Sequence, residues 1–386
     1  MEKLVRPIYL DYAATTPVAP EVADCMQGCL TLDGRFANPA SRTHQYGWEA
    51  EESVEMARFA VAELIGAQPR DLVWTSGATE ANNLALKGFM QAQGAGHLVV
   101  SAIEHKAVLD TARWLAEQGF TLTEVMPDAM GVVSVEAVAA ALRADTRLVS
   151  IMLVNNEVGT INDVAAIAQL CAERNIAFHV DAVQAMGRLP IAVKQIPVTM
   201  MSLSAHKMYG PKGIGALYIN SQQAPKLHTQ MHGGGQERGL RAGTLAPHQC
   251  VGMGEAARLA ALLLESDAAR IGQLRDQLWH GIAELPGVVR HGDPARTVCS
   301  HLNVGFSGLE GETLMLALSR LAISNGSACN SAHLAPSFVL RAMGVSAELA
   351  LSSLRFSLGR FTTAQDIEMA IHHVRDVVLS LNRTTV

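Results

Sequence analysis

Between Leu72 and Ile219 the chain alternates short, continuous apolar runs with helical patterns. Leu72–Thr75, Leu98–Ser101, Leu148–Val154, Ile176–Val180, Thr199–Leu203 and Ala216–Ile219 read as strands. Trp48–Ile65, Ala78–Gln91, Lys106–Gln118, Val135–Leu142 and Val164–Arg174 read as amphipathic helices. A strand without polar alternation must be covered on both faces. Such strands interleaved with helices confine the chain to an α/β arrangement with a mostly parallel sheet. From about Glu255 the pattern changes. A long helix, Glu255–Leu285, leads into short strands and helices, with another helix at Ala364–Leu381. This predicts a smaller α+β domain. The expected division is a large domain over 16–260 and a small domain made of 1–15 with 261–386, a helix bridging the two.

Open parallel sheets collect ligands beyond the carboxyl ends of their strands. Five of these strands run into polar residues with usable chemistry. Leu72–Thr75 is followed by Ser76-Gly77-Ala78-Thr79-Glu80, and Leu98–Ser101 by Glu104-His105-Lys106. Leu148–Val154 precedes Asn155-Asn156-Glu157, Ile176–Val180 precedes Asp181-Ala182-Val183-Gln184, and Thr199–Leu203 precedes Ser204-Ala205-His206-Lys207. One polar strand end is ordinary loop chemistry. Five in succession predict a site along one sheet edge.

Composition narrows the partners. Lys plus Arg is 30 and Asp plus Glu is 36, a net charge of −6. That argues against direct nucleic-acid binding driven by bulk charge. No apolar run approaches the ~18 residues of a membrane span, and the N-terminal stretch lacks an apolar signal region. The six cysteines are scattered, with no CxxC, so neither a disulfide framework nor a zinc ribbon is expected. The expectation is a soluble, cytoplasmic chain with reduced thiols.

Several segments admit two readings. Ser76-Gly77-Ala78-Thr79 opens a helix, which suits a phosphate, and equally suits an ordinary N-cap by Ser76 or Thr79. Lys207 ends an apolar strand, where burial would lower its pKa and make it an amine nucleophile; alone it reads as well as a lysine snorkelling to solvent. With Asp181 on a neighbouring strand end, Lys207 and the possible phosphate cup supply what pyridoxal phosphate (PLP) requires. No Walker loop is present. Gly252-Met253-Gly254-Glu255-Ala256-Ala257 fits GxGxxA but follows no strand, and His232-Gly233-Gly234-Gly235 lacks the GxSxG partner of a lipase. His228, His232, His248 and Cys250 match no metal-site spacing. Cys25 and Cys29, i and i+4, read as one buried helix face, and Cys171, Cys250 and Cys299 as packing residues. Cys329 differs, because Ser324–Ala332 is small, polar and breaker-rich, the composition of a surface loop. Arg355 follows the run Leu351–Leu354 and has the fork geometry to clamp a carboxylate.

Taken together, these segments resemble the cysteine desulfurases of the NifS/IscS type, fold-type-I PLP enzymes of the class V aminotransferase family. The resemblance runs from Tyr9 to about Thr363. It is carried by Tyr9-Leu10-Asp11-Tyr12-Ala13-Ala14-Thr15-Thr16-Pro17, Asn38-Pro39-Ala40-Ser41, Thr75–Asn83, Glu104-His105-Lys106 and Asn155–Gly159. Further on it is carried by His179–Gln184, His206–Gly213, Gly233–Glu237, Arg241-Ala242-Gly243-Thr244, Gly326-Ser327-Ala328-Cys329 and Leu354–Ser357.

The resemblance implies roles. Lys207 would bind PLP covalently and move the substrate Cα proton. His105 would stack on the ring, Asp181 would hold the ring nitrogen protonated, and Gln184 would bond the phenolic oxygen. Ala78, Thr79, Ser204 and His206 would hold the phosphate, with Thr244 supplied by the second subunit of a homodimer. Asn156 and Arg355 would take the carboxylate of L-cysteine. Cys329 would accept the sulfur as a persulfide, leaving L-alanine, and pass it to an acceptor protein; it could also ligate an iron–sulfur cluster in trans. Ala205, Gln236, Ala242, Asn325 and Asn330 depart from the family's usual residues without removing a catalytic group. Housekeeping members carry a longer C-terminal tail for the iron–sulfur scaffold. The resemblance implies an acceptor serving iron–sulfur cluster assembly or nucleic-acid thiolation, and allows a specialised one. Other readings are a selenocysteine lyase, another PLP-dependent lyase or aminotransferase, and a sulfur-relay scaffold protein.

Overall fold

The computed structural model describes residues 6–325 and 335–384. In chain order the first elements are β1 (Ile8–Tyr9), α1 (Pro20–Gln27), α2 (Gln45–Leu64), β2 (Leu72–Thr75), α3 (Ala78–Gln93), β3 (His97–Ser101) and α4 (Lys106–Glu117). Then come β4 (Thr121–Val125), α5 (Val135–Ala141), β5 (Thr146–Ser150), α6 (Val164–Glu173), β6 (Ala177–Asp181), β7 (Met200–Ser204) and β8 (Gly215–Ile219). The remainder holds α7 (Pro247–Ile282), β9 (Val288–His291), β10 (His301–Phe306), α8 (Gly311–Ala317), β11 (Leu321–Ala322), α9 (Phe338–Ala342), α10 (Ala347–Leu351), β12 (Ser353–Ser357) and α11 (Ala364–Thr384).

Seven strands form one sheet in the order β2-β8-β7-β6-β5-β3-β4. From β7 to β4 every pairing is parallel, and β8 runs antiparallel to both β2 and β7. The mostly parallel sheet is therefore present, with one reversed strand. Successive side chains leave a strand on opposite faces. Val99, Val149 and Met201 enter one core, packed with residues of α2, α6 and α7. Their neighbours Leu98, Val100, Leu148 and Met200 enter a second core, packed with α3 and α4. Covering on both sides is why these strands lack alternation. β4 has no apolar run and was not expected. It pairs only with β3 at the sheet edge, where an exposed Thr121 and half-exposed Leu122, Thr123 and Glu124 are tolerated.

A third core gathers Leu302, Val304, Phe306, Leu354 and Phe356 from the antiparallel sheet β12-β10-β9, with Leu10 and the inner face of α11. The 36-residue α7 runs between cores. Cys250, Met253, Ala256 and Ala260 pack in the first, and Ile271, Leu274, Leu278 and Ile282 in the third. The helix starts at Pro247 rather than Glu255, with proline in its first turn, where the missing N–H costs nothing. Its glycines serve close helix crossings. A Cβ on Gly252 would come within 2.8 Å of Met26, and one on Gly254 within 2.6 Å of Ala57. That packing accounts for the GxGxxA pattern.

The shared buried face expected for Cys25 and Cys29 is not formed. α1 ends at Gln27, so Cys25 stays exposed on the helix while Cys29 turns inward beyond it. Cys171 and Cys250 are buried, and burial pushes both thiols up to about 12. Leu148–Val154 stops being strand at Ser150, and Arg355 lies within β12 rather than after it. Among the described residues, no three metal-type ligands converge, the His228–Cys250 group included. Among them, too, no helix is long and apolar enough to cross a membrane.

Candidate active site

The carboxyl ends of β2, β3, β5, β6 and β7 lie on one sheet edge, and a cavity of about 840 Å³ opens there. Ala78, Thr79, His105, Asn156, Asp181, Gln184, Ser204, His206, Lys207 and Arg355 all line it. Thr244 does not; it is exposed and outside the cavity. Cys329 lies outside the described residues, although Ala335 and Pro336, just downstream, reach the cavity wall.

Lys207 closes a short turn after β7. Its Nζ points inward, donating to the carbonyl oxygens of Ala13 at 2.6 Å and Ala14 at 2.7 Å. The snorkelling alternative is therefore excluded. Burial, helped by the positive charges of Arg355 and Arg188, lowers its pKa to about 7. An amine neutral near pH 7 is a nucleophile and a proton carrier.

Asp181 ends β6 and is buried. Its Oδ2 accepts from Asn82 Nδ2 at 2.8 Å and its Oδ1 from the Val183 N–H at 3.0 Å. A carboxylate fixed by donors on both oxygens can face a protonated ring nitrogen. Asn82 lies within the Thr75–Asn83 motif, where its spacing gives it no role. Its signal was a polar residue on the otherwise apolar Ala81–Leu84–Ala85 face of α3.

His105 N-caps α4, accepting from the Ala107 N–H at Nδ1. In the neutral ring the proton then sits on Nε2. Burial, and the charge of Lys207, lower its pKa, while Asp181 opposes them. Beside it, Glu104 is fully buried and bonds the Met152 N–H at 2.6 Å. Burial, with the charge of Asp181, raises its carboxyl well above the usual range. It ties the end of β3 to the segment leading to Asn156, a role that spacing did not reveal.

At the start of α3 the N-cap is Gly77, and neither Ser76 nor Thr79 caps the helix. First-turn N–H groups are thus left for an anion, with the helix dipole favouring it. Gly215 of β8 lies against this turn, and a Cβ there would sit 2.8 Å from Gly77. Ser204 and His206 border the same region; burial first, then Lys207, lowers His206 to about 4. The Arg241–Glu80 ion pair, at 2.8 Å, ties the Arg241–Thr244 segment to α3.

Arg355 reaches in from β12. It donates to Asn156 O at 2.7 Å and to Asp11 Oδ1 at 2.8 Å. Its Nε and Asn156 Oδ1 are buried and bond no protein atom among the described residues. Two such polar atoms together ask for a polar ligand. The cavity thus offers an amine of lowered pKa, a buried carboxylate, an uncapped helix start and an arginine. These are the groups that PLP and an amino-acid carboxylate require, and the residues present fit that group.

The chain matches the aminotransferase class-V family over residues 8–369. It is 55% identical to the cysteine desulfurase IscS of Shewanella piezotolerans, over 97% of this chain and 93% of that one. A solved NifS-like protein superposes with a TM-score of 0.90 at 34% identity, covering 97% of this chain and all of the other. A structure described as SspA in complex with cysteine superposes with a TM-score of 0.82 at 37% identity, over 92% of this chain and 99% of that one. The fold and site define a PLP-dependent α/β enzyme of the class V aminotransferase type. Within that class, the chain belongs to the cysteine desulfurase family of the NifS/IscS kind.

Proposed function

We propose that this chain takes sulfur from L-cysteine, releases L-alanine and hands the sulfur on from Cys329. The observation that carries the reading is the inward-pointing amine of Lys207, its pKa lowered to about 7, facing one cavity with Asp181 and Arg355, in a chain 55% identical to curated cysteine desulfurases.

PLP, when bound, supplies an electron sink next to the substrate Cα. Lys207 would hold it, Asp181 would keep its ring nitrogen protonated, and Gln184 would donate to its phenolic oxygen. The α3 start at Ala78 and Thr79, with Ser204 and His206, would hold its phosphate. Arg355 would donate to the substrate carboxylate through its unused Nε–H, and Asn156 would donate to it through its side-chain NH2. Lys207 takes the proton from the substrate Cα, and His105 carries protons at the face of the site. The Cys329 thiolate attacks the substrate Sγ. As the S–S bond forms, the substrate Cβ–Sγ bond breaks. Cβ keeps the electron pair and takes up a proton, giving alanine and a persulfide. No external oxidant is needed.

The working unit is a homodimer in the cytoplasm, built from a large domain over 16–260 and a small domain of 1–15 with 261–386. Two observations support the dimer. Thr244 is exposed outside the cavity, and α2 exposes Trp48, Met56 and Phe59 on one face. The sulfur acceptor is a protein of iron–sulfur cluster assembly or nucleic-acid thiolation, and Cys329 would be the point of any cluster ligation in trans.

The test is incubation of the purified chain with L-cysteine and reductant. Sulfide and alanine are expected in equal amounts and absent from Lys207→Ala. Cys329→Ser should keep the visible cofactor absorbance and lose the persulfide. Keto-acid product would replace this reading with transamination.

A further inference from the structure

Arg188 is a buried guanidinium that the proposed reaction does not use. Among the described residues, no carboxylate pairs with it. Its Nη1 donates instead to the main-chain oxygen of Gln184 at 3.0 Å and to Gln184 Oε1 at 3.1 Å. A guanidinium can only donate, so the amide of Gln184 must turn its oxygen toward Arg188. Its Nε2 then faces the other way and donates to Ala13 O at 2.9 Å. That same oxygen accepts from Lys207 Nζ at 2.6 Å. Four groups therefore form one chain: Arg188, the Gln184 amide, the Ala13 carbonyl and the Lys207 amine.

We infer that Arg188 is a positioning residue that fixes the Gln184 amide with its NH2 toward the cavity and places a permanent positive charge behind Lys207. Arginine keeps its proton in proteins, even where burial disfavours it as here. The charged groups around Lys207 come from several elements. Arg355 lies on β12, Arg188 follows β6, Asp11 follows β1 and Asp181 ends β6. His105 on α4, His206 on the lysine's own turn and His301 on β10 also face it. Burial is the largest influence on the amine, Arg355 and Arg188 add to it, and the two aspartates oppose it. A lysine or arginine at 188 serves the charge; a neutral residue does not.

The inference rests on Lys207 being the cofactor's point of attachment. Its test needs no turnover. In the full chain with the cofactor removed, Lys207 is labelled with an amine-reactive anhydride across a pH series, and the labelled peptide is quantified by mass spectrometry. Arg188→Met and Arg188→Gln should raise the labelling midpoint by about half a unit to one unit, and Arg188→Lys should leave it near wild type. In the holoenzyme, the pH midpoint of the visible absorbance should move in the same direction. Arg188→Gln keeps a donor amide, so it reports the charge even where Arg188→Met does not fold. A lowered melting temperature with an unmoved midpoint would make Arg188 merely structural and overturn the inference. A chain that shows the shift but releases no sulfide from cysteine would fail the proposed function and keep this one.

Discussion

The Nζ of Lys207 lies 2.6 Å from the carbonyl oxygen of Ala13, so the segment leaving β1 closes over the amine from the other end of the chain. The contact puts an amine with a pKa of about 7 in a buried setting. In the unfolded chain the same amine titrates near 10.5. Between those values the unfolded state carries the proton and the folded state does not. Stability of the cofactor-free chain therefore rises with pH across that window. Lys207→Met removes this contribution. Denaturant unfolding at about pH 7 and about pH 9.5 checks it, and an identical slope in both proteins would contradict it.

Glu157 gives the opposite slope. Its carboxyl is buried beneath α9 and bonds the hydroxyl of Ser337, the N-cap of that helix. Burial pushes it up to about 7, with Ser337, Arg355 and Lys106 pulling against burial. Here the folded state holds the proton longer than the unfolded one, whose carboxyl titrates near 4.5. The contribution is complete below that value and is lost as pH rises through about 7. Glu157→Gln keeps the neutral hydrogen-bonding shape. Its melting temperature should fall less than that of wild type between about pH 5 and pH 7, as thermal melts will show.

Residues with chemistry at consecutive strand ends were legible because a parallel sheet brings those ends to one edge. Lys207 and Asp181 line one cavity for that reason, Asp181 ending β6 and Lys207 following the adjacent β7. Arg355 was legible as a carboxylate clamp from its residue type, but its place in this site only through resemblance. It sits on a different sheet, and nothing in its local pattern points at Asn156 or Asp11. Arg188, and the role of Glu104, were missed because their partners are main-chain groups and amides, which leave no spacing. β4 was missed because an edge strand need not be apolar. Cys25 and Cys29 misled because the i, i+4 rule assumes a helix that outlasts both, and α1 does not.

Arg355 binds in two directions, to Asn156 O and Asp11, and its Nε has no partner among the described residues. Losing a charge-assisted bond to the substrate carboxylate costs about 1.5–3 kcal/mol, so Arg355→Ala should raise KM for cysteine about 10–100-fold. Arg355→Lys keeps the charge without the planar fork and should recover only part of that. Steady-state kinetics separate the effects. An unchanged KM in both variants would remove Arg355 from the carboxylate site.

The exposed position of Thr244 makes the proposed dimer testable by mixing. Thr244 and the cavity of its own chain are apart, while Lys207 lines that cavity. If each site takes Thr244 from its partner, a Lys207→Ala protomer can complete the site of a Thr244→Ala protomer. Co-expression of the two should give hybrid dimers in which one site carries both intact residues. Sulfide release from the purified hybrid should exceed the mean of the two parents. A second substitution, Trp48→Glu on the apolar face of α2, places a charge on the surface proposed to be shared. It should shift the sedimentation velocity profile toward monomer and lower cofactor retention together, because a site that borrows Thr244 is incomplete in the monomer. A monomer that keeps full cofactor and full activity would show that each chain builds its site alone.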